Sequence, residues 1–389
     1  MKVLVVGAGM YVTGRHGTGV GTILASLAEA SRHQTIKEVV VVARNPENAK
    51  HVAEAARRID DLLGTRLAVR YQALTGGRSL NDQLRLGDFA CAIVSVPDHA
   101  HFEVAAELLE RGVATLVVKP LVPTVAEAEK LIAIQQKSAT YGAVEFHKRW
   151  DEGNLLAKRY IAEGRLGRLV YGVVEYSQRI SIPTVVFRGW TEHTNIFQYL
   201  GCHYVDLFYY LTDLRPVAAM AVGTRGVLWQ RGIKTFDSVH AHVLWNADGK
   251  GPHTFTTQLV ISWIDPTTTT ALSDQRIKII GEKGRIELDQ KNRGIELVTE
   301  DSAVQHPNPY FAEFLPGEAG GRAFQGYGYK SIASFLRDVT DLSSKKTTLE
   351  ALEALRPTFK QSLISTAIVE AVNDSLAQDF SWRKIQCPA

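Results

Sequence analysis

The first 150 or so residues alternate between two hydrophobic periods. Continuous apolar runs of strand length, "KVLVV" (2–6), "EVVVVA" (38–43), "FACAIVSV" (89–96) and "VATLVV" (113–118), are separated by stretches of helical periodicity. In "VGTILASLAEAS" (20–31), Val20, Ile23, Leu24, Leu27 and Ala28 share one helical face. "NPENAKHVAEAARRI" (45–59) predicts a helix with Asn45 as N-cap and Pro46 at its first position. "HFEVAAELLERG" (101–112) predicts a helix closed by Gly112, and "VAEAEKLIAIQQKS" (125–138) another before a last run, "TYGAVEF". Strands without alternation are buried on both faces. The pattern therefore predicts an α/β Rossmann N-terminal domain over 1–148, a parallel sheet covered by helices on both sides.

Beyond that point the texture changes. "LVYGVVEYSQRIS" (169–181), "SVHAHVLWN" (238–246), "FTTQLVISWI" (255–264) and "RIKIIG" (276–281) read as half-buried strands, and "GEKGRIEL" (281–288) as a turn joining two strands. Helices are expected at 152–163, about 197–211 and within 328–375. This predicts an α+β C-terminal domain with an open, mostly antiparallel sheet over 149–389, its C-terminal helix able to pack back on the first domain.

A chain of 389 residues exceeds one ordinary core, in keeping with two domains. A net charge of +3 is too small for a nucleic-acid or membrane surface. The longest apolar runs, such as Val217 to Val222, fall far short of the ~20 residues that span a bilayer. The apolar start carries one Lys2 and is cut short by Gly7-Ala8-Gly9, so no signal peptide is expected. Cys91, Cys202 and Cys387 are widely spaced, which fits a reducing compartment, hence a cytoplasmic location, and no metal site.

The chemistry begins at "GAGMYVTGRHGTGVGTI" (7–23). Gly7 and Gly9 follow the first strand, as a dinucleotide turn requires, with Met10 and Tyr11 next to the cofactor. Val12 stands where a third glycine belongs, and Gly17, Gly19 and Gly21 arrive late. The expectation is an insertion: Met10 to Gly17, with Arg15 and His16, forms a lobe beside the ligands, and the helix starts near Gly19 with Thr18 as N-cap. The second strand ends in Ala43-Arg44-Asn45 with no acid at its tip. Arg44 suits a ribose 2′-phosphate, so NADP is favoured over NAD.

"SVPDHAHFEVAAELLERGVATLVVKPLVPTVAEAEKL" (95–131), "HKRWDEG" (147–153), "IAEGRLGRL" (161–169) and "GCHYVDLFYYL" (201–211) occur in an order that resembles the Gfo/Idh/MocA family of glucose–fructose oxidoreductase and inositol dehydrogenase-like enzymes. The resemblance covers nearly the whole chain. It implies an NAD(P)-dependent oxidoreductase of a sugar, cyclitol or nucleotide sugar, and a homo-oligomer, dimer or tetramer. The family's Glu-Lys-Pro lysine maps to Lys119, with Val118 in the Glu position. As hydride leaves a carbinol carbon its oxygen gains negative charge, which an ammonium stabilises. The family's catalytic histidine maps to His203, a suitable base because its pKa lies near working pH. Many members carry Asp or Asn four residues earlier; Tyr199 stands here and can hold the substrate hydroxyl or relay a proton. On a helix, Tyr199, His203, Asp206 and Tyr210 form one stripe beside the apolar Leu200, Tyr204, Leu207, Phe208 and Leu211. Val96, Pro97 and His101 are expected at the nicotinamide edge, and Arg149 at the domain junction. Trp190 and His193 are candidates for a sugar face and a hydroxyl. Two other readings use the same residues: a non-catalytic NAD(P)-sensing regulator, and a reductase of a non-sugar carbonyl or imine.

Overall fold

The computed structural model describes residues 1–14, 19–75, 79–246, 254–300, 302–318 and 320–386. In chain order the first elements are β1 (Lys2–Val6), α1 (Met10–Thr13), α2 (Thr22–Ser31), β2 (Glu38–Ala43), α3 (Asn48–Leu63), β3 (Val69–Ala73), α4 (Leu80–Leu86), β4 (Cys91–Val94), α5 (His101–Glu110), β5 (Ala114–Val118), α6 (Val125–Ser138) and β6 (Gly142–Glu145). Next come α7 (Glu152–Ala162), β7 (Leu169–Arg179), α8 (Cys202–Thr212), β8 (Arg215–Thr224), α9 (Val227–Gln230), β9 (Ser238–Asn246), β10 (Thr254–Asp265), β11 (Ser273–Gly281) and β12 (Arg285–Asp289). The chain closes with β13 (Leu297–Thr299), β14 (Ser302–Gln305), β15 (Glu313–Pro316), β16 (Arg322–Gln325), α10 (Tyr327–Ser343), α11 (Leu349–Leu355), α12 (Phe359–Ala377) and β17 (Arg383–Lys384).

Contacts divide the chain into two compact units: 1–122, 126–150 and 310–362 form the first, and 123–125, 151–309 and 363–389 the second. Residues 310–362 thus return to the first unit instead of staying with the rest of 149–389. The reason lies in the first sheet, whose six strands run in the order β3-β2-β1-β4-β5-β6, all parallel. Val3, Val5, Val39, Val41 and Ile93 on one face, and Leu4, Val40, Val42, Ala92 and Val94 on the other, are all 4% exposed or less. Both faces need covering, which is why the strands read as unbroken apolar runs. On one face α2 and α3 share a core with Ile332, Phe335, Leu336 and Val339 of α10. The Tyr141 hydroxyl donates to Asp338 of α10 (3.1 Å), and Arg356 grips the same carboxylate with two nitrogens.

Two elements of this unit escaped the periodicity. β3 is a half-exposed strand, "VRYQA", whose Arg70 and Gln72 break any apolar run. α4 is a short helix fixed by a reciprocal cap: the Asp82 amide donates to the Ser79 hydroxyl (3.2 Å), and the Ser79 amide donates to the Asp82 carboxylate (2.8 Å). α3 begins at Asn48, not behind Asn45; the Asn45 side chain instead accepts from the Glu47 amide (3.0 Å) and forms a local turn.

The second unit is built on a seven-stranded sheet, β12-β11-β7-β10-β9-β8-β17, antiparallel except where β10 runs parallel to β7. β10 shows the alternation of a one-sided sheet: Phe255, Thr257, Leu259, Ile261 and Trp263 are buried. α8 covers this face, with Phe208 against Phe255 and Trp245 at ring distances of 5.9 and 6.3 Å. Gly172 on β7 makes room, since a Cβ there would stand 2.7 Å from the Phe208 ring. The C-terminal helical stretch resolves into α10, α11 and α12. Buried Asp151 caps α7 through the Gly153 amide (2.8 Å) and pairs with Arg293 (2.9 Å). Among the described residues no helix is long and apolar enough to cross a membrane, and no cluster of three metal-ligating side chains occurs. Cys91 and Cys202 are buried thiols; Cys387 lies outside the described residues.

Candidate active site

The first sheet changes winding direction between neighbouring β1 and β4, and the loops after their carboxyl ends meet there. Gly7 has φ +113°, and a Cβ on it would lie 2.0 Å from the Ser95 carbonyl oxygen, so only glycine fits. Gly9 is different: its backbone is extended and no atom lies within 4 Å of its missing Cβ. The first glycine lets two protein loops pass; the second leaves an open surface of backbone.

The insertion takes another form than a lobe followed by a helix near Gly19. Met10–Thr13 is already a helical turn, α1, begun at Gly9, and the Gly14 amide donates to the Met10 carbonyl (2.8 Å). The main helix resumes at Thr22 with Gly21 as N-cap. A Cβ on Gly21 would sit 2.2 Å from the Val12 carbonyl oxygen. The late glycine thus allows the displaced helix to seat against the turn that Val12 occupies. Arg15, His16, Gly17 and Thr18, the proposed N-cap, lie outside the described residues.

Tyr11 points its hydroxyl into the interior, where that oxygen is buried and has no hydrogen-bond partner at full geometry among the described residues. Burial, and then the nearby Glu145 charge, push its pKa well above the usual phenol range. An unsatisfied buried hydroxyl beside a glycine cradle fits a dinucleotide's phosphate and ribose oxygens. Arg44 is exposed just past the end of β2 and makes no ion pair or hydrogen bond among the described residues. Its neighbour Asn45 is exposed, with its carbonyl held by the Tyr71 hydroxyl.

Val96 and Pro97 lead out of β4 into the 3-10 turn Asp98–Ala100, both half-buried at the sheet's carboxyl edge. His101, by contrast, is 1% exposed. Its Nδ1 lies 2.8 Å from the Pro120 carbonyl oxygen, and its Nε2 3.0 Å from that of Val96. The ring braces the loop after β4 against the turn after β5, so any influence on a cofactor passes through that backbone. Burial, partly opposed by Asp98, holds its pKa below the usual histidine value. Lys119 follows β5 directly, half-buried, and its peptide bond to Pro120 is cis. Arg149 is buried, and its guanidinium donates to Gln361 (2.8 Å), while the Trp150 indole donates to Ser334 (3.0 Å).

Two polar residues at this edge were not singled out from the sequence. Glu145, at the end of β6, is fully buried, and its carboxylate lies 3.0 and 3.1 Å from Nδ1 of His147. A glutamate closing an otherwise apolar strand, "GAVE", followed by a histidine was the available signal.

In the second unit Tyr199 and His203 are not joined by one regular α-helix. Phe197–Gly201 is a π-helical turn leading into α8. The Asn195 side chain starts it by accepting from the amides of Phe197 and Gln198 (3.0 Å each) and donates to Asn373 of α12 (2.7 Å). The wider turn breaks the α-helical phase, so Tyr199 does not continue the stripe through His203 and Asp206. That stripe is interior: His203 is 3% exposed and Asp206 1%. Tyr199 lies in an aromatic cluster, with Phe187 at 5.0 Å, Trp190 at 6.3 Å and Trp263 at 6.3 Å between ring centroids. Burial raises its pKa far above the phenol range. Trp190 is half-buried beside it, and His193 is exposed on the 3-10 turn Thr191–His193. The structure therefore brings Tyr199 and Trp190 together and leaves His193 on the surface.

Residues 1–146 match the oxidoreductase family with an NAD-binding Rossmann fold, and residues 155–287 match the GFO/IDH/MocA C-terminal domain. Uncharacterized oxidoreductase YhhX of Escherichia coli is 29% identical over 162 residues, 42% of this chain and 46% of that protein. Levoglucosan dehydrogenase of Pseudarthrobacter phenanthrenivorans is 32% identical over 132 residues, 34% of this chain and 30% of that protein. The matched stretches span less than half the length of these curated relatives. Among solved structures, scyllo-inositol dehydrogenase from Lactobacillus casei with bound NAD(H) and scyllo-inositol matches with a TM-score of 0.68 at 14% identity, over 98% of both chains. A putative myo-inositol dehydrogenase from Sinorhizobium meliloti 1021 matches with a TM-score of 0.66 at 15% identity, over 99% of both chains. At such identities the likeness shows the fold.

Proposed function

The chain belongs to the Gfo/Idh/MocA family of NAD-binding oxidoreductases, and on that premise we propose that it moves hydride between nicotinamide and a secondary alcohol or ketone of a sugar, cyclitol or nucleotide sugar. One observation carries the reading. Lys119 directly follows β5, two strands from the β1 that leads into the glycine turn, on the same carboxyl edge of a parallel sheet. A cation stands where a dinucleotide laid across that edge would present its reactive end.

The bound dinucleotide supplies the hydride acceptor or donor. In the oxidation direction, His203 takes the hydroxyl proton as the carbonyl forms. The Lys119 ammonium stabilises the negative charge that develops on the same oxygen. The Tyr199 phenol, kept protonated by burial, donates a hydrogen bond that orients this oxygen. Trp190 offers an apolar face to the ring carbons of a sugar, and His193 a contact to an outlying hydroxyl. Gly7, Gly9, Met10 and Tyr11 hold the pyrophosphate and adjoining ribose, with Val96, Pro97 and Arg149 shaping the nicotinamide end. Arg44, with no protein partner of its own among the described residues, pairs with a 2′-phosphate, which favours NADP over NAD. We place the protein in the cytoplasm as a homo-oligomer, dimer or tetramer.

The experiment is a screen of sugars, cyclitols and nucleotide sugars with both cofactors, followed by Lys119→Ala and His203→Ala on the best substrate. Each variant should lose at least about a hundredfold in kcat. Near-normal turnover in both would sink the assignment. Tight cofactor binding with no turnover anywhere in the panel would favour the sensor, whose support is Val118 and Tyr199 at positions where the family pattern has acidic or amide side chains. Turnover confined to imines or non-sugar carbonyls would favour the third reading.

A further inference from the structure

We propose that Glu145 is a positioning residue for the hydride-transfer site, supplying from β6 the buried carboxylate that Val118 does not supply from β5, and tying that edge to the glycine turn through His147 and Tyr11. This rests on the oxidoreductase reading above.

Val118 and Glu145 are register partners on adjacent parallel strands. Such partners project to the same face, about 4.8 Å apart. Ala114, Leu116 and Val118 of β5 and Ala143 of β6 all pack into the same core, and Glu145 continues the β6 row. Its carboxylate thus rises from the strand next to the residue where the resembled pattern has its glutamate, one position before Lys119.

A carboxylate at 0% exposure survives only with specific partners. His147 is the first, its Nδ1 3.0 Å from Oε2. That contact keeps a proton on Nδ1, so a neutral ring carries its lone pair on Nε2. The ring is held by Tyr327, stacked at 5.6 Å, and Phe311, tilted at 5.2 Å. Tyr11 is the second neighbour: its buried hydroxyl makes no hydrogen bond at full geometry among the described residues, and burial, then the Glu145 charge, keep it protonated. Tyr11 belongs to the helical turn that starts at Gly9. One carboxylate therefore couples the last strand of the sheet to the turn after the first.

A purely structural brace would tolerate no relocation of its charge, whereas a carboxylate that serves the edge can be supplied from either strand. The test is Glu145→Gln alone and combined with Val118→Glu, in the cofactor-loaded protein. E145Q should cut kcat about tenfold or more while the substrate KM stays within about threefold. The double variant should recover most of that loss. E145Q within about twofold of wild type, or a double variant no better than E145Q, overturns the proposal. If E145Q fails to fold, His147→Gln should give the same kcat loss, and normal turnover there overturns it. A wild-type protein that turns over nothing defeats the oxidoreductase reading instead. The present inference is then decided by ¹⁵N chemical shifts of the His147 ring: an Nδ1–H signature that changes in E145Q supports it, and one that does not change overturns it.

Discussion

The glycine turn of the first unit and the π turn of the second are opposite solutions to placing a functional group. The first is set by backbone: glycine is required at 7 and 21 because a Cβ would collide with the carbonyls of Ser95 and Val12. The second is set by side chains: Asn195 starts the turn, Asn373 anchors it, and three aromatic rings pack around Tyr199. A backbone solution fails at once when a single methyl is added. A side-chain solution degrades in steps, since packing and hydrogen bonding can be removed separately.

The largest test of this contrast is Gly7→Ala, which should cost at least about 3 kcal/mol, read as a lowered unfolding midpoint in urea. Gly9→Ala should leave the midpoint within about 0.5 kcal/mol, yet weaken dinucleotide binding roughly tenfold by intruding on the open backbone. If both glycines behave alike in both assays, the distinction between a protein-facing and a ligand-facing glycine is lost. In the second unit, Arg293→Met strips the buried Asp151 of its cation and should destabilise by about 3 kcal/mol. Tyr199→Phe keeps the rings packed and should cost under about 1 kcal/mol of stability while lowering turnover about tenfold. A large stability loss in that variant would mean that the hydroxyl serves packing.

Arg44→Ala should reduce NADPH affinity about tenfold and leave NADH affinity nearly unchanged, as titration of the free protein would show. Tighter NADH binding by the wild type would reverse the cofactor preference. The smallest expected effect lies at the opposite end of the strands. Glu38 on β2 pairs with Lys2 of β1 (2.9 Å) and Arg70 of β3 (3.0 Å), and these cations lower its pKa. A lowered folded-state pKa means the contribution is fully present above the unfolded value, about 4.3, and is lost as pH falls through the folded one. Glu38→Gln should therefore lose less than about 1 kcal/mol at neutral pH and show a flatter acid limb in urea titrations. An unchanged acid limb would remove the pair from the account.

How much was legible depended on how local the cause was. The parallel sheet followed from unbroken runs such as "VVVV" in β2, because burial on both faces leaves no room for polar alternation. The glycine turn followed from spacing, since positive φ and close approach are demands that one residue type meets. β3 and α4 did not show, because an edge strand with Arg70 and Gln72 carries no apolar run. The helix start at Thr22 was missed because Gly21 answers to Val12 across the turn, not to its neighbours in sequence. Similarly, the stripe through Tyr199 and His203 assumed an α-helical phase that the Asn195–Asn373 contact overrides.

What the sequence determined by itself is the set of elements governed by neighbours a few residues away: buried strands, amphipathic helices, and a glycine turn in a context that names a dinucleotide. Tertiary structure alone decided which residues meet. It sent 310–362 back to cover the first sheet, turned His101 inward onto the backbone carbonyls of Val96, Pro120 and Leu121, and set Glu145 beside Val118. The physical reason is that periodicity reports only whether a position is buried. Register and close approach decide what it is buried against.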